Sequence, residues 1–251
     1  MSPPRVLLVE DDASIRRFVS LALEDSKLDL VQAATLQSAI QALRSGPFDL
    51  VLCDLMLPDG SGFDLLHALA GPDSPSPGAR RVAFSAGVST DTRERLRAVG
   101  VHAVLTKPAS LSALLACVQE ALAAAPRPPP HLQAPAATPG EADVEEAVAR
   151  YFGGHHGLYH SYAASCRDQF ALDAAQGEAA ASAQDLAALR RLAHSLKSVL
   201  LTLGHGHDAA LALAIEHAAA AGQPGDAWRQ WPQLQARLRA LAAASPPPAD
   251  A

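Results

Sequence analysis

The stretch RVLLVEDD, residues 5–12, joins an apolar run of strand length to an acidic pair, Glu10 and Asp11. Three later stretches repeat this pattern of an apolar run that ends in a polar side chain. They are LVLCDLMLPDGSG at 50–62 with Asp54, VAFSAG at 82–87 with Ser85, and VLTKP at 104–108 with Lys107. Short apolar runs of this kind are typical of buried strands. The four stretches therefore predict four strands, each followed by a residue capable of chemistry.

Apolar runs of strand length alternate with helical periods throughout the first half of the chain. The segment from Ala13 to Glu24, for example, places its apolar residues on one helical face. Five such repeats with short connections predict an α/β fold, a doubly wound five-stranded parallel sheet covered by helices on both sides. The predicted strands are 5–9, 28–33, 49–53, 81–84 and 102–105.

The carboxyl ends of such strands meet at one edge of the sheet, where ligands bind. Glu10, Asp11 and Asp54 would then be crowded together, and three carboxylates repel one another unless a cation lies between them. An all-oxygen site with room for water suits Mg²⁺ better than zinc. With Mg²⁺ in place, Asp54 is predicted to act as a nucleophile toward phosphorus, while Lys107 neutralises the phosphoryl oxygens and Ser85 donates a hydrogen bond to one of them.

Each of these residues also has an ordinary interpretation. An acidic pair after a strand is commonly the solvated start of a helix, because Asp is a good N-cap. A lone Asp in a turn sequence, a Lys before Pro and a Ser at the end of a strand are all common without any function. Their occurrence together, at four strand ends in this order, favours a site for phosphoryl transfer.

A proline-rich stretch divides the chain. Residues 126–140, PRPPPHLQAPAATPG, have no apolar period and too many prolines for a helix or a sheet, so they predict a semi-extended linker. The predicted domains are therefore 1–125 and 141–245, followed by a disordered tail rich in Pro and Ala at 246–251.

Charge and composition exclude several classes of protein. Residues 1–125 carry 11 basic against 14 acidic side chains and residues 141–251 carry 8 against 12, so neither half has the basic excess of a DNA-binding domain. No apolar run approaches the length needed to span a bilayer. The three cysteines are scattered and suit a reducing compartment. We expect a cytoplasmic protein that binds neither nucleic acid nor a membrane.

The second half of the chain is rich in Ala and Leu and has helical periods only. Long amphipathic helices joined by short loops predict an all-α, antiparallel four-helix bundle with a short extra helix. A break is predicted around Gly177, and Trp228 and Trp231 are expected to pack in the core. The predicted helices are about 142–152, 157–175, 183–203, 208–221 and 226–243.

One helix of this half carries a candidate nucleophile, in LRRLAHSLKSVLLTLG at residues 189–204. Its apolar residues form a single stripe, whereas His194, Lys197 and Ser198 lie with Arg190 and Arg191 on the other side. His194 is therefore predicted to face water within a basic strip. A neutral imidazole can attack phosphorus, and cationic neighbours favour its neutral form. The alternative is an ordinary surface histidine.

Residues 4–124 resemble the receiver domain of two-component response regulators, which has a flavodoxin-like fold. The residues that carry the resemblance are Glu10, Asp11, Asp54, Pro58, Gly60, Gly62, Ser85, Lys107 and Pro108. It implies that Asp54 is phosphorylated. It also implies that Asp11 and Asp54 bind Mg²⁺, with help from Glu10 through water and from the backbone carbonyl of Met56. The family often has Tyr or Phe where this chain has Val104, which favours a domain that passes phosphate on over one that mainly changes shape.

The segment AHSLKSVLLTLG, residues 193–204, resembles the signature of histidine-containing phosphotransfer (HPt) domains, and the similarity extends loosely over 141–244. This resemblance implies that His194 carries a phosphoryl group and that Lys197 contacts it. Family members usually have Gly directly after the lysine. Because this chain has Ser198 there, we expect slower or more selective transfer.

Together the two halves predict a phosphorelay protein, a phosphoryl carrier and not a turnover enzyme. A sensor histidine kinase would phosphorylate Asp54, and His194 would exchange phosphoryl groups with a receiver aspartate. The partners expected are that kinase and other receiver or phosphotransfer domains. The sequence contains no Gly-rich nucleotide loop and no kinase ATP lid. In the alternative, phosphorylation of Asp54 controls whether the helical domain docks on a partner, and His194 is never phosphorylated.

Overall fold

The structure, a computed structural model, describes residues 2–123 and 144–244. The chain divides into two compact units, Met1–Ala136 and Ala137–Ala251. The linker predicted at 126–140 and the tail predicted at 246–251 lie outside the described residues, so the domain boundaries stay predictions.

The first unit is built on a five-stranded parallel sheet with the strand order β2-β1-β3-β6-β7. Its strands are β1 Arg5–Val9, β2 Asp29–Ala33, β3 Leu50–Cys53, β6 Arg80–Ser85 and β7 Ala103–Thr106. A small antiparallel hairpin, β4 Met56–Leu57 with β5 Gly60–Ser61, follows β3. The helices are α1 Ala13–Ala22, α2 Leu36–Arg44, α3 Gly62–Ala68, α4 Thr90–Ala98 and α5 Leu111–Leu122. The predicted doubly wound α/β fold is confirmed, and the hairpin was not foreseen.

The register of the sheet sets the position of each strand end. It pairs Val9 with Cys53, Cys53 with Ala83, and Ser85 with Thr106. Glu10, Asp54 and Lys107 each follow one of these paired residues, so they leave the sheet at the same edge. The central strands are buried because they are apolar on both faces, as expected of a parallel sheet with helices on each side.

Asp12, the third acid after β1, has a structural role. Its side chain accepts a hydrogen bond from the backbone N–H of Ile15, at 2.9 Å, and so caps the N-terminus of α1. In this acidic run Asp12 is thus the helix cap. Glu10 and Asp11 are not needed as caps and lie at the edge of the sheet.

The second unit is a bundle of helices. They are α6 Val144–Phe152, α7 His156–Ser182, α8 Leu186–Thr202, α9 Gly206–Ala220 and α10 Pro224–Ala243. Helix α7 packs on α8 and α10, and α9 packs on the same two helices, which gives a four-helix arrangement with α6 as the short extra helix. The predicted all-α bundle is confirmed. Within the described residues, no helix combines the length and the apolar character needed to cross a membrane. The cytoplasmic location stays a prediction.

The break predicted around Gly177 is wrong, because α7 continues through this residue to Ser182. Gly177 is buried, and a Cβ atom built on it would lie 2.0 Å from Cζ2 of Trp231. The glycine therefore permits the indole ring of Trp231 to lie directly against the backbone of α7. Trp231 is buried as predicted, but Trp228 is partly exposed.

Replacing Gly177 with alanine is expected to lower the free energy of unfolding of the bundle by about 1–3 kcal/mol, because the added methyl group must displace a buried indole ring. Both tryptophans of the chain lie in α10, so their fluorescence during denaturant unfolding reports on this unit alone. Gly157→Ala on the same helix is the matched control, since a methyl group there would have no neighbour from the rest of the described chain within 4 Å. Equal unfolding midpoints for the two variants would contradict the prediction.

Candidate functional site

Three carboxylates converge at the carboxyl edge of the sheet in the first unit. Glu10, Asp11 and Asp54 each offer an oxygen atom that lies within 4.8 Å of the other two. Glu10 and Asp54 are fully buried, and Asp11 is partly exposed. Across the part of the chain that the structure describes, no other three acidic, His or Cys side chains form such a group. The structure thus brings together the acids that the sequence predicted.

Lys107 lies inside this acidic group. Its Nζ atom lies 2.6 Å from Oδ2 of Asp54 and also forms an ion pair with Glu10. Burial alone would lower the pKa of the ammonium group, but the charges of Glu10 and Asp54 outweigh burial and raise that pKa. Lys107 is therefore held in its charged form, with its ammonium group against the carboxylate of Asp54.

One ammonium group does not neutralise the three acids. Burial, followed by the charges of nearby carboxylates, raises the pKa of Asp11 to about 6. Burial also raises the pKa of Glu10, although the charge of Lys107 opposes it. Three carboxylates beside a single ammonium group leave an excess of negative charge, and a divalent cation that prefers oxygen ligands would relieve it. The residues present thus fit Mg²⁺.

Local backbone geometry orients the Asp54 carboxylate. The N–H of Met56 donates a hydrogen bond of 3.0 Å to Oδ1 of Asp54, while Oδ2 contacts Lys107. A Cβ atom at Gly62 would lie 1.7 Å from the backbone oxygen of Asp54, so only glycine permits α3 to begin this close to the acid. The role predicted for the carbonyl of Met56 as a metal ligand stays a prediction.

Ser85 is buried at the carboxyl end of β6, beside β3 and β7. The N–H of Lys107 donates a hydrogen bond of 2.9 Å to the carbonyl of Ser85, which ties the two loops together. Val104 is partly buried on β7 and packs against the apolar core of the first unit. The sequence-predicted residues of this half thus occupy one edge of one sheet.

In the second unit, His194 lies on α8 but does not face water. It is only 6% exposed, so the prediction of a water-facing imidazole is wrong. Its Nδ1 atom lies 2.6 Å from Oε1 of Glu216 on α9, and Nζ of Lys197 lies 2.6 Å from Oε2 of the same carboxylate. The helix pattern predicted a polar outer face for α8, whereas the part of this face that holds His194 and Ser198 is buried.

The predicted basic strip is correspondingly smaller. Arg190 is exposed, Arg191 and Lys197 are half-buried, and Ser198 is fully buried. Lys197 is paired with Glu216, so its charge is directed toward that carboxylate and not to solvent. The local environment of His194 is therefore a hydrogen-bonded carboxylate and ammonium pair, and not an exposed cationic surface.

The contact with Glu216 determines which ring nitrogen of a neutral His194 carries the proton. Burial alone would raise the pKa of Glu216, but hydrogen bonds from His194 and Lys197 outweigh it and lower the pKa to about 2. The carboxylate is therefore ionised and can only accept, which assigns the proton to Nδ1 and leaves the lone pair on Nε2. Nε2 is buried and has no hydrogen-bond partner among the described residues.

Glu216 was not predicted from the sequence. Helix α9 carries only two acidic residues, Asp208 and Glu216, and apart from two histidines the rest of its sequence is Ala-rich and apolar. An acid within such a helix is the one signal that would have drawn attention to it. Its partner on α8 is set by how the two helices pack, which their sequence periods do not specify.

The ionisation of Glu216 makes the stability of the bundle depend on pH. Its pKa is about 2 in the folded bundle against 4.5 as the reference for an unfolded chain. A lowered folded pKa stabilises the fold above pH 4.5, by up to about 3 kcal/mol, and this contribution is lost as the pH falls from 4.5 toward 2. We expect the stability difference between the wild-type bundle and Glu216→Gln, measured by tryptophan fluorescence, to be less than half as large at pH 3 as at pH 7. A difference that does not change with pH would contradict this assignment.

Comparison with known proteins divides the chain in the same way. Residues 6–119 match the family described as the response regulator receiver domain. Residues 161–244 match the family described as the Hpt domain. The first match contains all the edge residues from Glu10 to Lys107, and the second contains His194, Lys197 and Glu216.

Individual relatives match the first unit. The response regulator protein PilR of Pseudomonas aeruginosa is 36% identical over 122 residues, which are 49% of this chain and 27% of PilR. The phosphate regulon transcriptional regulatory protein PhoB of Escherichia coli is 34% identical over 115 residues, 46% of this chain and 50% of PhoB. The chain thus spans half or less of these curated relatives. A solved CheY-like receiver domain protein from Methanospirillum hungatei is 27% identical with a TM-score of 0.45, and the match covers 48% of this chain and 94% of that one.

Proposed function

The chain belongs to two families of two-component signalling, because it joins a response regulator receiver domain to an Hpt domain, and we propose that it is a phosphorelay intermediate. A sensor histidine kinase gives its phosphoryl group to Asp54, and His194 exchanges phosphoryl groups with the aspartate of a receiver, its own or that of another protein. Two observations support the proposal: Nζ of Lys107 lies 2.6 Å from Oδ2 of Asp54, and His194 and Lys197 share the carboxylate of Glu216.

In the first transfer, an oxygen of the Asp54 carboxylate forms a bond to phosphorus while the bond from phosphorus to the kinase histidine breaks, and the histidine nitrogen keeps the electron pair. Lys107, already against Asp54, neutralises charge on the transferred oxygens. Mg²⁺, held by Glu10, Asp11 and Asp54, supplies further charge neutralisation when bound. Ser85 donates a hydrogen bond to the phosphoryl group.

In the second transfer, the lone pair on Nε2 of His194 forms the bond to phosphorus as the aspartyl oxygen leaves with its electrons. The attack places a positive charge on the imidazole ring, whose Nδ1–H already points to the ionised Glu216. Glu216 therefore stabilises the charge that develops, while Lys197 is placed to neutralise the phosphoryl oxygens. The reverse transfer uses the same groups in the opposite order.

The docking alternative, in which His194 is never phosphorylated, has no support from either family match. A helical surface that only docks on a partner would not need a histidine held in one tautomer. The carboxylate of Glu216 holds His194 in one tautomer. We also propose that the protein is cytoplasmic and that its phosphoryl donor is a sensor histidine kinase.

The proposal is tested by phosphorylating the full chain with acetyl phosphate and Mg²⁺, and separately with phosphoramidate, which can label both aspartate and histidine, and by sorting the label by its chemical stability. Aspartyl phosphate is labile to alkali, and phosphohistidine is labile to acid but stable to alkali. We expect Asp54→Asn to abolish the alkali-labile label and His194→Gln to abolish the acid-labile label, each without loss of the other. A wild-type chain that takes label on Asp54 but never on His194 would overturn the relay.

A further inference from the structure

Two buried polar atoms on one side of α8 have no hydrogen-bond partner among the described residues. They are Nε2 of His194 and Oγ of Ser198, in residues that are 6% and 2% exposed. A buried hydroxyl group without a partner is unfavourable, because it has lost its hydrogen bonds to water and gained none in return. A ligand with a hydrogen-bond acceptor would give this hydroxyl group a partner.

Other hydroxyl groups in the bundle form a hydrogen bond that the Ser198 hydroxyl does not form. Ser165 donates a hydrogen bond of 3.0 Å to the carbonyl of Ser161, and Thr202 donates one of 2.8 Å to the carbonyl of Ser198. This bond to the residue four positions back is the usual way to satisfy a hydroxyl group within a helix. The Ser198 hydroxyl is as buried as that of Thr202, yet it makes no such bond among the described residues.

Ser198 and His194 are neighbours on the surface of α8. Residues four apart in a helix lie one above the other, with Cβ atoms roughly 5–6 Å apart. A phosphoryl group bound to Nε2 brings three acceptor oxygens into the space beside the imidazole. One of these oxygens lies within reach of a hydroxyl group on the next turn, and Lys197 provides the opposite charge.

We propose that the Ser198 hydroxyl donates a hydrogen bond to the phosphoryl group carried by His194, so that Nε2, Ser198 and Lys197 together form a phosphoryl-binding site. This inference rests on the proposed function and assigns a further residue to its second acceptor. Ser198 forms and breaks no covalent bond, and its proton stays on its oxygen. Its hydrogen bond must be lost when the phosphoryl group departs, so it prolongs the lifetime of the phosphohistidine.

The test measures that lifetime in full-length chains that carry Asp54→Asn, so that no aspartate within the chain accepts the phosphoryl group. His194 is labelled with phosphoramidate, and the decay and the ³¹P resonance of the phosphohistidine are followed. A hydrogen bond to a charged acceptor corresponds to a change on the order of tenfold or more. We expect Ser198→Ala and Ser198→Gly both to shorten the lifetime about tenfold and to move the ³¹P resonance.

Ser195→Ala is the matched control, because Ser195 is a buried serine that directly follows His194 in the helix, and residues one apart do not face each other. The phosphohistidine in this variant is expected to live as long as in the parent chain. The thermal midpoint of Ser198→Ala is expected not to fall, since the hydroxyl group it removes has no hydrogen-bond partner in the described part of the unphosphorylated bundle.

Three results would overturn the inference, and they are distinguishable. Labelled His194 with unchanged lifetime and resonance in both Ser198 variants would exclude the hydrogen bond and leave the proposed function standing. A change in Ser198→Gly alone would assign the effect to the backbone and not to the hydroxyl group. Failure of His194 to take label in any chain would overturn the proposed function itself.

Discussion

Replacing Lys107 with methionine is expected to lower the free energy of unfolding of the receiver domain by about 3–5 kcal/mol in the absence of divalent cations. Methionine has a similar volume but no charge, so the variant leaves Glu10 and Asp54 buried without their cation. The measurement is denaturant unfolding followed by far-UV circular dichroism. Because both tryptophans lie in the bundle, their fluorescence identifies the bundle's transition and separates it from that of the receiver domain.

The origin of this loss can be checked in two ways. Lowering the pH from 8 to 5 is expected to recover part of it, because Glu10 and Asp11, whose pKa values are already raised, take up protons and repel each other less. Lys27→Met removes an exposed lysine of the same domain and is expected to change stability by no more than about 0.5 kcal/mol. A Lys107→Met variant as stable as Lys27→Met would show that the acidic group does not depend on this ammonium.

Replacing Glu216 with glutamine is expected to slow phosphorylation of His194 by roughly 30- to 100-fold, equivalent to about 2–3 kcal/mol in the barrier. The amide can still accept a hydrogen bond from Nδ1–H, but it carries no charge to balance the imidazole ring as phosphorus is attacked. Lys197 also loses its ion-pair partner. The measurement is the rate at which acid-labile, alkali-stable phosphate appears with phosphoramidate as donor.

Glu178→Gln provides the control for this variant. Glu178 lies in the same bundle and also forms an ion pair, with Arg239, but both side chains are exposed. An exposed pair contributes little, so this variant is expected to be phosphorylated at the wild-type rate. If His194 were phosphorylated at the same rate in both variants, the charge of Glu216 would not contribute to the transfer.

The edge of the parallel sheet was predictable from sequence because its assembly follows from local patterns. Apolar runs mark the strands, and parallel pairing brings their carboxyl ends to one edge without further information. Glu10, Asp54 and Lys107 were therefore expected together and lie together. The hairpin at Met56–Leu57 and Gly60–Ser61 was missed because two-residue strands leave no period to detect.

The surroundings of His194 were not predictable in the same way. The helical period placed the imidazole opposite the apolar stripe and so predicted that it faces water, whereas that side of α8 is buried. The helix break predicted at Gly177 was wrong for a related reason. Glycine disfavours a helix, but here the close packing of Trp231 against α7 outweighs that preference. In both cases a contact between helices overrode a local preference.

The sequence by itself determined the two fold classes, the residues at the sheet edge and the helix that carries His194, because each depends on patterns within a few residues of the chain. Only the tertiary structure decided that Glu216 hydrogen-bonds Nδ1 of His194, that Lys197 shares this carboxylate, and that Ser198 is buried with no hydrogen-bond partner among the described residues. These contacts depend on the rotation of one helix against its neighbour. A period of 3.6 residues identifies the apolar face of each helix, but not which polar residues of two helices meet.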